Sequence, residues 1–210
     1  MPFKSLRCTR MSEIFRNLAA KYKKSKSNMT DFMQTFSEAQ GWPMDKLVDY
    51  IMNNYHEGCV MRVDGMRREA EMLQTQEGAK DMELVATLLG ESYEDLSNHF
   101  QKEEGILFPY ICELQQTIDS GSEPQPFHCG SVQYPIRVMM MEHSGELERY
   151  DRILGIMKQQ QEPFASSEPC KMLTNKIEGF VAWLGEHIKL EDEILFPRAI
   201  TAEGMPTIEG

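Results

Sequence analysis

The sequence predicts an all-α protein, an up-down-up-down four-helix bundle with a short helical N-terminal extension. Three observations carry this prediction. Apolar residues recur at helical spacing over four long segments, no segment alternates strictly as a strand would, and the second half of the pattern repeats the first. Each apolar stripe is too narrow to be buried alone, whereas four such stripes together close one core.

The first 41 residues are expected to form the helical extension. Two short amphipathic stretches, Ile14 to Tyr22 and Phe32 to Phe36, flank a basic and Ser-rich segment. Gly41-Trp42-Pro43 then interrupts the helical pattern, because glycine and proline are strong helix breakers. The predicted division is therefore residues 1–41 for the extension, 42–200 for the bundle and 201–210 for a tail.

The first bundle helix is predicted from about Met44 to Gln76, and the second from about Asp81 to Ile118. A Pro-, Gly- and Ser-rich loop, residues 119–135, leads to the third helix, whose stripe runs from Ile136 to Met157. The fourth helix carries its stripe from Leu173 to Ile194. Residues predicted to face the core include Met52, His56, Cys59, Val63, Met66, Ala70, Val85, Leu88, Leu96, His99, Glu103, Ile106, Leu107, Met140, His143, Leu147, Tyr150, Leu154, Ile177, Phe180, Leu184, His187 and Glu191.

The composition excludes several classes of protein. With 22 Lys+Arg against 33 Asp+Glu, the 210-residue chain has a formal charge of −11, and such a surface repels phosphate backbones. No apolar run approaches the roughly 20 residues of a membrane span, and residues 1–10 lack the apolar region of a secretory signal. Five scattered cysteines fit reduced thiols better than a disulfide framework. We expect no nucleic-acid partner, no membrane insertion and a cytoplasmic location.

The two halves of the bundle share a motif. His99 to Pro109 and His187 to Pro197 both read His-x-x-x-Glu, an acidic residue, one variable position and Ile-Leu-Phe-Pro. His56 precedes the first motif by 43 residues and His143 precedes the second by 44, and both begin His-x-Gly. Each half is thus a helix with one histidine followed by a helix with the longer motif. The prolines are expected to kink or stop their helices.

A histidine and a glutamate four residues apart lie on one helix face, so each motif can direct a nitrogen and a carboxylate to one point in the core. An isolated motif of this kind is usually a surface hydrogen-bonding pair, and an isolated core histidine usually bonds a carbonyl. Here, however, four histidines lie on the stripes of four helices, and a buried glutamate is costly without a partner. The predicted metal ligands are His56, His99, Glu103, His143, His187 and Glu191. Imidazole and carboxylate suit Fe, Mn or Zn, and two metals sharing two bridging carboxylates use all six side chains.

Other residues are also candidates for the site. His128, beside Cys129 in the crossing loop, fits a solvated histidine better than half of a zinc site, because no further ligand is near in sequence. Cys59 lies close after His56 on the same stripe, and a small buried hydrophobe is favoured over a residue of the cavity wall. Tyr55 and Tyr150 are candidates to reach the cavity wall as hydrogen-bond or radical partners.

At these residues the chain resembles the hemerythrin-like (HHE cation-binding) family from about Trp42 to Ala199, and most closely its repair-of-iron-centres proteins. The matching stretches are residues 49–56, 103–109, 138–143 and 187–199. The resemblance implies a hemerythrin-like bundle with two non-haem Fe ions joined by an oxo or hydroxo bridge. The four histidines of the bundle would be terminal ligands, and Glu103 and Glu191 would bridge.

The resemblance also implies a function in nitrosative or oxidative stress. Iron–sulfur clusters damaged by nitric oxide or oxidants would be restored by iron donation or by nitric-oxide handling at the di-iron centre. The implied partners are O2, NO or peroxide and apo iron–sulfur proteins. The alternative is a hemerythrin-like module that binds or senses oxygen or nitric oxide, or stores iron, without turnover. A third hypothesis, a di-iron oxidase or peroxidase, requires a substrate pocket.

The chain differs from the hemerythrin-like proteins that it resembles in two respects. Oxygen-carrying hemerythrins have a fifth histidine one turn from the third-helix ligand, whereas Met139 and Leu147 flank His143 here. If iron is octahedral, each ion would keep an open position, which favours reactivity or metal exchange over reversible oxygen carriage. Repair-of-iron-centres proteins commonly carry a Cys-Cys-Gly-Gly pair in an N-terminal domain, whereas residues 1–41 contain only Cys8.

Overall fold

The structure, a computed structural model, describes residues 26–128 and 130–204. The helix predicted at Ile14 to Tyr22, as well as Cys8 and Cys129, lies outside these residues. The described α-helices are α1 (Lys26–Ala39), α2 (Met44–Ile51), α3 (Cys59–Leu73), α4 (Met82–Lys102), α5 (Phe108–Ser120), α6 (Gln133–Met157), α7 (Glu168–Leu190) and α8 (Phe196–Ala202). Three π-helical turns join pairs of them, namely π1 (Met52–His56), π2 (Glu103–Leu107) and π3 (Glu191–Leu195).

The helices form the predicted four-helix bundle, with no strand among the described residues. Helix α3 packs on α4 and α7, and α6 packs on the same two, so that the four helices enclose one interior. At the other end α2, α5 and α8 continue the bundle beyond the π turns. Helix α1 packs alongside, with Ala39 fully buried and Phe32 nearly so. The division of the chain into an extension, a bundle and a tail remains a prediction.

The π turns change the predicted course of three helices. The first does not run unbroken from Met44 to Gln76, because Gly58 adopts a left-handed conformation (φ 73°) between π1 and α3, which a β-carbon would strain. The second and fourth helices continue through Pro109 and Pro197 instead of stopping there. Each proline lies in the first turn of the α-helix that follows a π turn, where its missing N–H is tolerated.

The core lies in two apolar clusters, one on each side of the π turns. Most of the residues predicted to face inward do so, but Ile106 and Met140 do not: they are 48% and 37% exposed. Ile106 lies within π2, but Ile194, the matching residue of π3, is buried, so the π turn alone does not expose it. On α6 the neighbouring Met139 is buried in place of Met140, because the helix presents that side to the core. The prediction for these two residues is wrong.

Glu203, just after α8, ties the end of the bundle to the crossing loop. Its carboxylate accepts hydrogen bonds from Tyr110 Oη (2.8 Å), Ser131 Oγ (2.7 Å) and the backbone N–H of Val132 (3.0 Å). Partial burial alone would raise the pKa of Glu203, but these bonds stabilise the charged form and lower it below the usual glutamate value. The ionised carboxylate therefore stabilises the folded state.

We expect Glu203→Gln to reduce the free energy of unfolding of the metal-free protein by about 2 kcal/mol at pH 7, the typical contribution of hydrogen bonds to a charged group. Because the folded pKa of Glu203 is lowered, its contribution is complete above the unfolded glutamate pKa and disappears as the pH falls through the folded value. Urea denaturation at neutral and acidic pH measures this difference. Glu148→Gln, an exposed carboxylate on α6, is the control. A Glu203→Gln deficit that is the same at every pH would contradict the assignment.

Among the described residues, no helix is both long and apolar enough to cross a membrane. Cys59, Cys112 and Cys170 are free thiols.

Candidate metal centre

The fold brings the six predicted ligands together between the two apolar clusters. Their donor atoms form two groups, in each of which every donor lies within 4.8 Å of the others. Both groups contain Glu103 and Glu191; one adds His56 and His187, and the other adds His99 and His143. All six residues are buried, and both glutamates have no exposed surface. This is the arrangement expected of two cations that share two carboxylates, and the ligand assignment itself remains a prediction.

The π turns place three of these side chains. His56 is the last residue of π1, whereas Glu103 and Glu191 are the first residues of π2 and π3. Single π turns are frequent at functional sites, because the wider turn reorients side chains that an α-helix would direct elsewhere. Both glutamates still reach their motif histidines, since Glu103 lies 3.2 Å from His99 Nε2 and Glu191 lies 2.9 Å from His187 Nε2.

The histidine nitrogens face one another in pairs. Nε2 of His56 lies 3.2 Å from Nε2 of His187, and Nε2 of His99 lies 3.1 Å from Nε2 of His143. In three of these rings the other nitrogen, Nδ1, contacts a carboxylate, so the neutral ring carries its proton there and directs the Nε2 lone pair inward. Lone pairs at this separation repel unless a proton or a metal ion lies between them.

The glutamates supply the second reason why a cation fits. All four carboxylate oxygens of Glu103 and Glu191 are buried, and none accepts a hydrogen bond of good geometry from the described residues. An uncompensated carboxylate in the interior is costly, and buried charges are typically paired or coordinate metals. Nitrogen and carboxylate donors suit iron, manganese or zinc. The six residues therefore fit a pair of transition-metal ions.

Three carboxylates that the sequence did not predict contact the histidine rings at Nδ1, the nitrogen that faces away from the centre. We call them the outer carboxylates. Nδ1 of His56 lies 2.8 Å from Glu104, Nδ1 of His99 lies 2.8 Å from Glu142, and Nδ1 of His143 lies 2.9 Å from Asp192. Such partners set the ring orientation and increase the basicity of the ligand nitrogen. A signal was present in the sequence, because an acidic residue follows each motif glutamate and Glu142 directly precedes His143.

The outer carboxylates also set local pKa values. Burial alone would raise the pKa of Glu142, but hydrogen bonds from His99 and Lys102 lower it to about 2. Burial alone would lower the pKa of His143, but the charge of Asp192 and the carboxylate of Glu191 raise it well above the usual value. Glu142 is therefore ionised at neutral pH, the form that accepts a hydrogen bond from a histidine.

His187 differs from the other three histidines. Its Nδ1 is buried and has no hydrogen-bond partner among the described residues. Burial lowers the pKa of His187, so the ring favours its neutral form. Where the other three histidines have an outer carboxylate, the ring of His187 has Tyr55 stacked on it. The ring centroids are 5.7 Å apart and the planes differ by 15°. Of the two tyrosines that were candidates to reach the cavity wall, Tyr55 therefore contacts the site through its aromatic ring.

A cleft with a volume of about 380 Å³ leads to the centre between α4 and α6. His99, His143 and His187 line its inner part together with Leu184 and Ile188. The outer part is charged and is lined by Asp95, Lys102, Glu142, Glu146 and Arg149. By contrast, His56 lies under the stacked rings of Phe100 and Phe108, at 4.2 and 5.5 Å. The cleft therefore opens to the centre on the side of His99 and His143.

The other residues that the sequence suggested as candidates for the site lie outside the centre. Cys59 is fully buried among apolar residues, and burial raises the pKa of its thiol to about 12, as expected of a small hydrophobe. Tyr150 is not part of the cleft lining; its hydroxyl lies 3.0 Å from that of Ser92, which donates to Glu146. His128 is exposed in the crossing loop against the ring of Phe127.

Comparison with known proteins agrees with this geometry. Residues 48–199 match the hemerythrin HHE cation binding domain, a span that contains all six predicted ligands. The chain is also similar to the iron-sulfur cluster repair protein YtfE of Yersinia pestis (strain Pestoides F) and of Yersinia pseudotuberculosis serotype O:1b (strain IP 31758). Each is 29% identical over 166 residues, which cover 78% of this chain and 69% of the relative. The chain belongs to the hemerythrin HHE cation-binding domain family.

Proposed function

We propose that this protein is a cytoplasmic non-haem di-iron protein that restores iron–sulfur clusters damaged under nitrosative or oxidative stress. The observation that carries the proposal is the pair of donor groups that share Glu103 and Glu191, whose buried oxygens accept no hydrogen bond of good geometry from the described residues. Similarity to relatives named as iron–sulfur cluster repair proteins gives the biological direction. Two irons would bind, one to His56 and His187 and the other to His99 and His143, with both glutamates shared.

The chemistry that bound iron would supply is redox chemistry and the binding of small ligands such as NO, O2 or peroxide. Residues of the chain orient the predicted ligands and limit the access of water. The outer carboxylates Glu104, Glu142 and Asp192 orient three histidines, and the apolar wall formed by Leu184 and Ile188 limits water around the inner cleft. Iron as cargo would leave through the same cleft, past carboxylates that can take up a departing cation.

The cleft also favours the second candidate, a module that binds or senses oxygen or nitric oxide, or stores iron, without turnover. The cleft opens to the centre on the side of His99 and His143, whereas His56 is covered by the rings of Phe100 and Phe108. Both candidates use the same six residues. They differ in the fate of the iron, which an acceptor protein receives in the first case and which stays bound in the second.

The test is an anaerobic iron-transfer assay. We expect the purified protein to hold two iron ions per chain, one for each donor group. Incubation with sulfide and an apo iron–sulfur protein should then produce the cluster absorption of the acceptor, while the iron content of the donor falls by an equal amount. The metal-free protein is the control. A protein that binds NO or O2 reversibly and loses no iron to the acceptor would contradict repair and favour the binding module.

A further inference from the structure

Both tryptophans of the chain are joined to the candidate centre by contacts between aromatic rings. The first contact is the stacking of Tyr55 on His187, at 5.7 Å. From Tyr55 one branch continues to Tyr50 at 6.2 Å and then to Trp42 at 5.2 Å. The other branch goes directly to Trp183 at 5.4 Å. The chain contains only these two tryptophans, so each ends one branch of the same network.

Burial decreases outward along both branches. Tyr55 is 4% exposed, whereas Tyr50, Trp42 and Trp183 are partly exposed. A cationic group lies over each terminal indole: Lys46 Nζ is 4.2 Å from the centroid of Trp42, and the Arg62 guanidinium is 4.6 Å from that of Trp183. The network therefore extends from the side of a predicted metal ligand to two solvent-accessible ends.

The side chains in the network have a property that ordinary apolar filler lacks. Tyrosine and tryptophan rings can each lose one electron to a strong oxidant and pass the deficit to a neighbouring ring, whereas phenylalanine cannot at comparable potentials. Phe100 and Phe108 cover His56, so the oxidisable rings lie against the other histidine of that donor group. His187 is also the ligand whose Nδ1 has no hydrogen-bond partner among the described residues.

We propose that Tyr55, Tyr50, Trp42 and Trp183 form an electron path that carries oxidising equivalents from the metal centre to the protein surface. The proposal rests on the di-iron centre proposed above. Its function would be protective: an oxidising equivalent left at the centre would otherwise damage His187 or another ligand. The path delivers it to an indole at the surface, where cellular reductants have access.

The oxidant that we consider is hydrogen peroxide, whose reduction to water can be balanced in electrons and protons. Reduction of one peroxide molecule to two waters takes two electrons and two protons. A single ferrous ion held by the predicted ligands would supply only one of these electrons. The second electron comes from Trp42 or Trp183 through Tyr55, and the oxidised indole releases its N–H proton to water. Because the proton leaves with the electron, the resulting indolyl radical is neutral and adds no positive charge beside Lys46 or Arg62.

The test treats the iron-loaded, partly oxidised protein with a small excess of peroxide and locates oxidised residues by peptide mass spectrometry, with radicals followed by electron paramagnetic resonance. We expect oxidation at Trp42 and Trp183 in the iron-loaded protein only. Tyr50→Phe should cause a several-fold loss of oxidation at Trp42 while Trp183 still reacts. Tyr55→Phe should reduce oxidation at both tryptophans and increase it at His187. Tyr134→Phe, which changes an exposed tyrosine outside the network, should alter neither.

The iron content and the transfer of iron to an acceptor are measured on the same preparations, which separates this proposal from the function on which it rests. Equal tryptophan oxidation in all variants, or in metal-free protein, would overturn the electron path while leaving the di-iron centre in place. Oxidation confined to exposed methionines such as Met61 and Met72 would also overturn it, because these react with peroxide directly. A chain that binds no iron would overturn both.

Discussion

Replacement of either glutamate that the two donor groups share, by Glu103→Ala or Glu191→Ala, is expected to abolish binding of both metal ions while the helices persist. Each glutamate belongs to both donor groups. Its loss therefore removes one carboxylate donor from each group and changes the net charge of a buried site. The measurements are the iron content after anaerobic reconstitution, the thermal shift on adding metal and the far-ultraviolet circular dichroism. Metal binding to native but not unfolded protein should raise the melting temperature of the wild type but not of the two glutamate variants.

Two matched variants make this result specific. His99→Ala removes a donor that belongs to one group only, so the second ion, held by His56 and His187, should be retained more strongly than in either glutamate variant. Glu94→Ala changes an exposed glutamate on α4 and should retain both ions. If Glu103→Ala and Glu191→Ala each keep two irons, the carboxylates do not bridge. If Glu94→Ala also loses iron, the loss reflects general destabilisation.

The second large effect is expected from the outer carboxylates. Asp192→Asn, Glu142→Gln and Glu104→Gln should each weaken metal affinity, within the range of about 10- to 100-fold that is typical of groups that support a ligand histidine. We expect the order Asp192, Glu142, Glu104, because the three side chains are 8%, 35% and 41% exposed and solvent screens the more exposed charges. Each amide can still accept a hydrogen bond from histidine Nδ1, so the variants test the charge.

Competition with a metal chelator of known affinity measures these effects, and the rate of metal release gives a second readout. Glu148→Gln on α6 is the control, since this carboxylate is exposed and lies on the same helix as His143. Equal affinities for Asp192→Asn and the wild type would show that ring orientation does not depend on the charge of the outer carboxylate. An effect of Glu104→Gln larger than that of Asp192→Asn would contradict the role of burial in this order.

Most of the bundle could be predicted from local pattern. The stripes that contain Val63, Leu147 and Ile177 repeat at the period of an α-helix, and a stripe of that kind is buried whichever helix it meets. The six central residues were predictable for a related reason. Four histidines and two glutamates interrupt apolar stripes at matched places in two halves, and charged or polar groups at such places need partners.

The π turns were not predictable from this pattern. Helical periodicity assumes one hydrogen-bonding register, and an i→i+5 turn shifts every residue after it around the axis. Ile106 in π2 is exposed whereas Ile194, the matching residue of π3, is buried, so the two π turns present corresponding side chains differently. Likewise, Pro109 and Pro197 are compatible with continuing helices once a π turn precedes them, whereas a uniform α-helix would be kinked or stopped.

The helical class, the twofold repeat and the residues that meet in the interior could be read from local sequence, because they follow from periodicity and from the cost of burying charge. The pairing of groups across helices required the folded structure: Glu142 pairs with His99, Asp192 with His143, and Tyr55 with His187. Such pairs depend on the relative rotation and depth of separate helices. Those quantities are set by the packing of the whole core and by the π turns, and no local stretch of sequence encodes them.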